Sequence, residues 1–126
     1  RHGIAFVAID GDGRAFMQTR PERGMLGGMS AFPSAGWTEA DPPFDPDKPF
    51  ASAPFYADWH LAKDQVGHVF THFSLTMDVA VARLDAVMDG AEWQKVRISG
   101  LPTLMRKVWE TARKAQACQS PAPKRP

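Results

Sequence analysis

The stretch VGHVFTHFSLTMDVAVARL, residues 66–84, decides the fold. In it Val69, Thr71 and Phe73 alternate with Phe70, His72 and Ser74, and then Leu75, Met77, Val79 and Val81 alternate with Thr76, Asp78, Ala80 and Ala82. Successive side chains of a strand point to opposite faces, so this period of two describes strands with one face turned inward. At 19 residues the stretch is longer than strands usually run, and a kink, bulge or turn is predicted near residues 71–73.

Upstream, the apolar run IAFVAI (residues 4–9) is followed by DGDG and RAFMQTR. Asp-Gly pairs supply the positive φ of tight turns, so a β-hairpin is predicted. The unbroken apolar character of its first strand implies burial on both faces. In the second strand Ala15 and Met17 alternate with Phe16 and Gln18, which leaves its facing open. Residues 20–37, RPERGMLGGMSAFPSAGW, hold too much glycine and proline for a helix. Gly27-Gly28 marks a sharp bend or close backbone approach, and residues 29–32 suit a short strand stopped by Pro33. Residues 41–54, DPPFDPDKPFASAP, are dense in proline, which forbids regular structure. They read as a surface excursion. EWQKVRI (residues 92–98) suits a further short strand.

Near the end, Leu104, Val108, Ala112 and Ala115 recur at helical spacing, widened by Met105 and Trp109. Lys107, Glu110, Arg113 and Lys114 fall mainly outside this stripe, as in an amphipathic helix docked on a sheet. Pro102 suits the first turn and Thr103 an N-cap. Strands, an irregular segment, more strands and a helix make a mixed α/β (α+β) class.

A chain of 126 residues suits one hydrophobic core. Its 44% hydrophobic and 23% charged residues are ordinary for a globular protein. A formal charge of +1 argues against a protein that lives mainly on phosphate attraction. Towards the C-terminus, however, Arg106, Lys107, Arg113, Lys114, Lys124 and Arg125 face only Glu110. Of these the helix residues Arg106, Lys107, Arg113 and Lys114 read as a solvated face ahead of a weak phosphate surface. The lone Cys118 excludes an intrachain disulfide and a cysteine-cluster metal site. No apolar run approaches the ~20 residues that span a bilayer, and no secretory leader is visible. A soluble cytoplasmic protein without membrane contact is expected. The chain starts at Arg1 and enters a strand at once, so it reads as an excised domain over residues 1–117 with a disordered tail at 118–126. His60 and His68 lack partners at metal-ligand spacing and read as polar strand residues. Trp59 and Trp93 read as packing residues rather than base-stacking platforms.

Three stretches, RPERGMLGGMSAFPSAGW, HVFTHFSLTMDVAVARL and LPTLMRKVWETA, taken in order, resemble the C-terminal domain of the bacterial A/G-specific adenine DNA glycosylase family, MutY. The hairpin GIAFVAIDGDGRAFMQTR sits where that family places one, and the likeness runs from about Gly3 to Ala117, interrupted by the proline-rich segment. The resemblance implies a Nudix-like fold, a mixed sheet packed between helices, that recognises 8-oxoguanine opposite adenine in double-stranded DNA. It also implies a separate N-terminal catalytic domain holding the catalytic carboxylates and an iron–sulfur cluster. This chain would then carry neither cofactor nor catalytic residue, and would act as a monomeric, nucleoid-associated bacterial lesion-reading module.

On that resemblance Phe70, Thr71 and His72 match the family's lesion-contacting motif. In 8-oxoguanine N7 becomes an N–H donor and C8 gains a carbonyl oxygen, where guanine offers only an acceptor at N7. A threonine hydroxyl both donates and accepts, and so can meet both altered atoms. Phe70 would shape the loop, and His72 would hold it or touch a phosphate. By alternation alone the same residues are an ordinary strand start. Arg20, Arg23, Gly27 and Gly28 are candidates for a phosphate-holding loop of guanidinium and backbone N–H donors. Equally they make a plain connection between strands.

An active Nudix hydrolase needs a box of the form G-x5-E-x7-R-E-U-x-E-E, whose glutamates, one helical turn apart, collect Mg²⁺ on one face. The sixth residue after Gly27 is Pro33, and after Gly28 it is Ser34. Pro42-Pro43 stand where Arg-Glu would fall, and prolines interrupt Asp41, Asp45 and Asp47. A diverged hydrolase of oxidised nucleotides and a non-catalytic protein-interaction module stay open as alternatives.

Overall fold

The computed structural model describes residues 1–20, 26–39 and 41–119, the side chains of the last three excepted. Strands β1 (His2–Ile9), β2 (Ala15–Phe16), β3 (Gln18–Thr19), β4 (Ser30–Ala31), β5 (Ser34–Ala35), β6 (His60–Leu61), β7 (Val66–Val69), β8 (Ser74–Arg83) and β9 (Trp93–Gln94) precede a 3₁₀ turn at Ile98–Gly100 and helix α1 (Thr103–Gln119). The main sheet runs β6-β8-β1-β2-β9, with β5 also on β1 and β7 also on β8, while β3 and β4 form a separate ribbon. Its centre is the parallel pair β1–β8, in register from His2↔Thr76 to Ile9↔Arg83. All its other pairings are antiparallel. This is the mixed α/β fold expected.

Both faces of the central pair are buried. Ala5, Val7 and Ile9 of β1, with Leu75, Met77, Val79 and Val81 of β8, meet Leu104, Met105, Val108 and Ala112 of α1 in one core. Ile4, Phe6, Ala8, Ala80 and Ala82 form a second core on the opposite face. The hairpin's second strand divides between them, Ala15 and Met17 joining the helix side and Phe16 the other. Pro102 accepts the first helical bond, from Arg106 N–H at 2.9 Å, so it occupies the cap position and Thr103 begins α1. Cys118 and Gln119, expected in the tail, lie in the helix, and residues 120–126 fall outside the described residues.

The proline-rich segment is the surface excursion its composition predicts, none of residues 41–54 being fully buried, but it also covers one face of the sheet. Phe44, Phe50 and Phe55 pack with Trp59 and Trp93 over the second core, where the sheet would otherwise face water. Trp59 meets Phe6 edge-on at 5.3 Å, and Phe55 meets Phe16 at 5.1 Å, geometries aromatic quadrupoles favour. Proline removes helix and strand bonding but does not prevent partly buried phenylalanines from packing on the sheet. Short turns satisfy the backbone instead, with Lys48 N–H on Asp45 O, Ala51 N–H on Lys48 O and Ala53 N–H on Phe50 O. The segment enters through Gly36, at φ 84°, where a Cβ would collide with Phe44. Only glycine allows both that backbone and that contact.

Candidate nucleic-acid interface

Strand β7 pairs antiparallel with β8 from Val66↔Met77 to Val69↔Ser74. Residues 70–73 are therefore a hairpin turn, closed by Phe70 N–H donating to Phe73 O at 2.8 Å. The predicted break near residue 71 is a full reversal of direction. At its tip Thr71 and His72 are exposed, and the Thr71 hydroxyl and the His72 ring bond to no other described residue. The flanking Phe70 and Phe73 turn back onto the body and stack on each other at 4.9 Å.

That pair is part of a longer stack. Phe70 lies parallel to Trp37 at 6.1 Å, and Trp37, fully buried, carries the Arg20 guanidinium over its ring at 4.6 Å. At the other end the Arg1 guanidinium covers Phe73 at 3.9 Å and donates to Trp37 O at 3.0 Å. Arg1 is held by the sheet, its backbone nitrogen donating to Ser74 O at 2.9 Å and its carbonyl accepting from Thr76 N–H at 2.9 Å. Three rings, Phe73, Phe70 and Trp37, are thus held between two cations, with Trp37 as the buried member.

Arg20 faces inward. It donates to Asp41 Oδ1 at 2.8 Å, both side chains almost fully buried, and Asp41 in turn accepts from the Thr38 hydroxyl at 2.7 Å. Its backbone anchors the glycine-rich loop, with Gly28 N–H on Arg20 O and Arg20 N–H on Met29 O. Leu26 at φ 57° and Gly28 at φ 73° make the sharp bend read from Gly27-Gly28, and both glycines are exposed. Arg23 lies outside the described residues. The structure therefore brings Arg20 and the turn together through Trp37. Sequence reasoning missed Trp37 and Arg1. Trp37 ends the glycine-rich motif, and a large aromatic directly after a turn glycine was the available signal; Arg1 had none.

At the base of the hairpin, Lys107 of α1 donates to Gly67 O at 3.0 Å and lies 3.1 Å from His68 Nδ1. The His68 ring meets Phe70 edge-on at 4.7 Å. Burial, reinforced by the Lys107 charge, holds the His68 pKa below its ordinary value. Arg113 lies over Trp109 at 5.6 Å and Lys114 lies 3.9 Å from Asp64, both exposed, as is Arg106. His60 stands on β6, its Nε2 buried without a partner among the described residues.

Among the described residues, acidic groups do not gather for a metal. Asp41 is engaged by Arg20 and Thr38, and Asp45 Oδ1 accepts from Asp47 N–H at 2.9 Å. Among the described residues no three of His, Cys, Asp and Glu come together, and residues 41–59 hold no helix on which glutamates could align. The described residues do not assemble the Mg²⁺ site of a hydrolase. A polar cavity of about 300 Å³ does lie between the β3–β4 ribbon and the proline-rich segment, lined by Gln18, Thr19, Ser34, Asp41 and Ser52 among others.

The family model described as NUDIX domain matches residues 4–111. The chain belongs to the NUDIX domain family. No curated protein sequence matches it. Among solved structures, this NUDIX chain is similar to the C-terminal domain of mouse MUTYH, crystallised in complex with human PCNA, at a TM-score of 0.64 and 17% identity, covering 92% of this chain and 89% of that one. It is also similar to a MutT protein from Methanosarcina mazei Go1, with TM-score 0.57, 12% identity and 94% of each chain covered. A third is the NUDIX domain of Shewanella oneidensis NrtR complexed with ADP ribose, with TM-score 0.55, 12% identity and coverage of 90% and 86%. At such identities these likenesses establish a shared fold. The chain is a NUDIX domain whose fold serves both a MUTYH C-terminal module and a MutT protein.

Proposed function

We propose that this NUDIX domain reads 8-oxoguanine opposite adenine in double-stranded DNA, as the C-terminal part of an adenine DNA glycosylase whose catalytic domain and iron–sulfur cluster lie elsewhere in that protein. The observation that carries this reading is the turn at residues 70–73, with an exposed threonine at its tip and an aromatic brace beneath it. Thr71 Oγ1 accepts from N7–H and donates to O8, while the backbone N–H groups of Thr71 and His72, which bond to no described residue, offer further donors to O8. Arg1 and His72 lie beside the tip for phosphates. Arg20 serves from beneath, holding Trp37.

NMR titration of the chain with duplexes containing 8-oxoguanine:adenine or guanine:adenine tests the reading even where affinity is low. Amide shifts at residues 70–73, larger for the lesion, are expected; identical responses to both duplexes sink it. Thr71→Ala is expected to reduce the lesion preference by about 1–3 kcal/mol, roughly 5- to 150-fold.

The polar cavity beside the β3–β4 ribbon favours a second reading, a diverged hydrolase of oxidised nucleotides. Turnover of 8-oxo-dGTP with Mg²⁺ by the chain would support it, and none is expected. No response to either duplex or to nucleotide would leave a protein-interaction module, a role consistent with the PCNA complex of the MUTYH domain.

A further inference from the structure

The contact between hairpin and helix links the reading turn to a titratable group. Lysine has donors only, so the 3.1 Å contact requires His68 Nδ1 to accept, which puts the ring in its neutral form with the proton on Nε2. The same ammonium donates to Gly67 O, so one lysine fastens two consecutive residues of β7 to α1. The His68 ring also abuts Phe70, the residue whose N–H closes the turn and whose face meets Trp37.

We propose that His68 and Lys107 form an acid-sensitive latch that positions the residue 70–73 turn. With His68 neutral, the latch is closed and Thr71 is presented. Protonation converts the acceptor into a donor facing an ammonium 3.1 Å away, and the two cations must part. Moving the ring withdraws the edge on which Phe70 rests, and the turn loosens.

Among the described residues no carboxylate bonds to His68 or Lys107. Helix α1 presents Lys107, with Glu110 and Lys114 lining the same groove as Gln65 and Gly67. Strand β8 sets the apolar Leu75 opposite His68. The turn contributes Phe70, with His72 exposed at the tip, and Arg1 over Phe73 adds another positive charge to the same end. Burial and Lys107 both lower the His68 pKa, as the closed latch requires. The consequence for lesion reading rests on the function proposed above. The latch itself is testable in the free chain, so one can fail without the other.

The test follows the His68 ring and the Phe70 amide by NMR between pH 7.5 and 4.5, with exchange normalised to intrinsic rates. His68 is expected to titrate below the ordinary histidine value of about 6.5, and Phe70 protection to fall several-fold with the same midpoint. Lys107→Met is expected to raise the His68 midpoint. His68→Asn, whose amide oxygen can stand in for Nδ1 without titrating, is expected to keep Phe70 protected across the range. An unshifted midpoint in Lys107→Met would overturn the latch. So would Phe70 protection in wild type that does not track His68. Wild type and Lys107→Met decide the matter even if His68→Asn fails to fold.

Discussion

Trp37→Ala is expected to destabilise the domain by about 3–5 kcal/mol, the range for deleting a buried tryptophan, and to abolish lesion preference while leaving Thr71 untouched. The indole is fully buried in the helix-side core. It is also the inner layer beneath Phe70 and the surface on which Arg20 rests. Truncation leaves a cavity, removes a cation–π contact and withdraws the support under the turn. Trp37→Phe separates these effects. Nε1 has no partner among the described residues, so phenylalanine forfeits no hydrogen bond there and keeps a ring against Phe70. Urea denaturation should rank wild type above Phe, and Phe well above Ala. Phe70 amide protection should survive in Trp37→Phe and collapse in Trp37→Ala. A Trp37→Ala protein within about 1 kcal/mol of wild type, against the range expected, would mean that the turn stands without its brace.

Much of the framework was legible because it repeats. Alternation marked β8, the apolar run marked β1 as buried on both faces, Asp-Gly marked the first hairpin, and helical spacing marked α1. The cover of the second face was not legible. Trp59 and Trp93 read correctly as packing residues, but Phe44, Phe50 and Phe55 follow neither period, and the prolines among them signal only what the backbone cannot form. The site divides in the same way. The turn near residue 71 was legible from excessive strand length. Its brace joins Arg1 to Phe73 and Trp37 to Phe70, pairs more than thirty positions apart in the chain, and sets Arg20 on Trp37 from another loop, and no local pattern reports such contacts. Arg20 read as a phosphate candidate because glycines surround it in sequence. What turns it inward is Asp41, 21 positions on, in the segment that looked least structured.

Asp10→Asn is expected to cost about 3 kcal/mol at neutral pH, because it breaks the pair of a buried carboxylate with a part-buried arginine and leaves part-buried donors without acceptors. Asp10 directly follows β1, with its carboxylate fully buried. Oδ1 accepts from the backbone N–H groups of Asp12 and Arg14, and Oδ2 from the Arg14 guanidinium and Met88 N–H. One carboxylate therefore closes the first hairpin and ties it to the segment leading into β9. An asparagine keeps one oxygen but points its amide at donors. Burial alone would raise the Asp10 pKa, yet the N–H groups of Met88, Arg14 and Asp12 and the Arg14 side chain outweigh it and hold the value below the ordinary 3.8. With a lowered folded-state pKa the unfolded chain binds more protons in acid, so the stabilisation is complete above the unfolded value and is lost as pH falls through the folded one. Wild type should accordingly lose stability as pH falls from about 5 towards 2, whereas Asp10→Asn should lose less. The gap between the two proteins should narrow in acid. A constant gap in chemical denaturation across that range would mean that the hairpin closes without the charge of Asp10, and that hydrogen-bond geometry alone carries the effect.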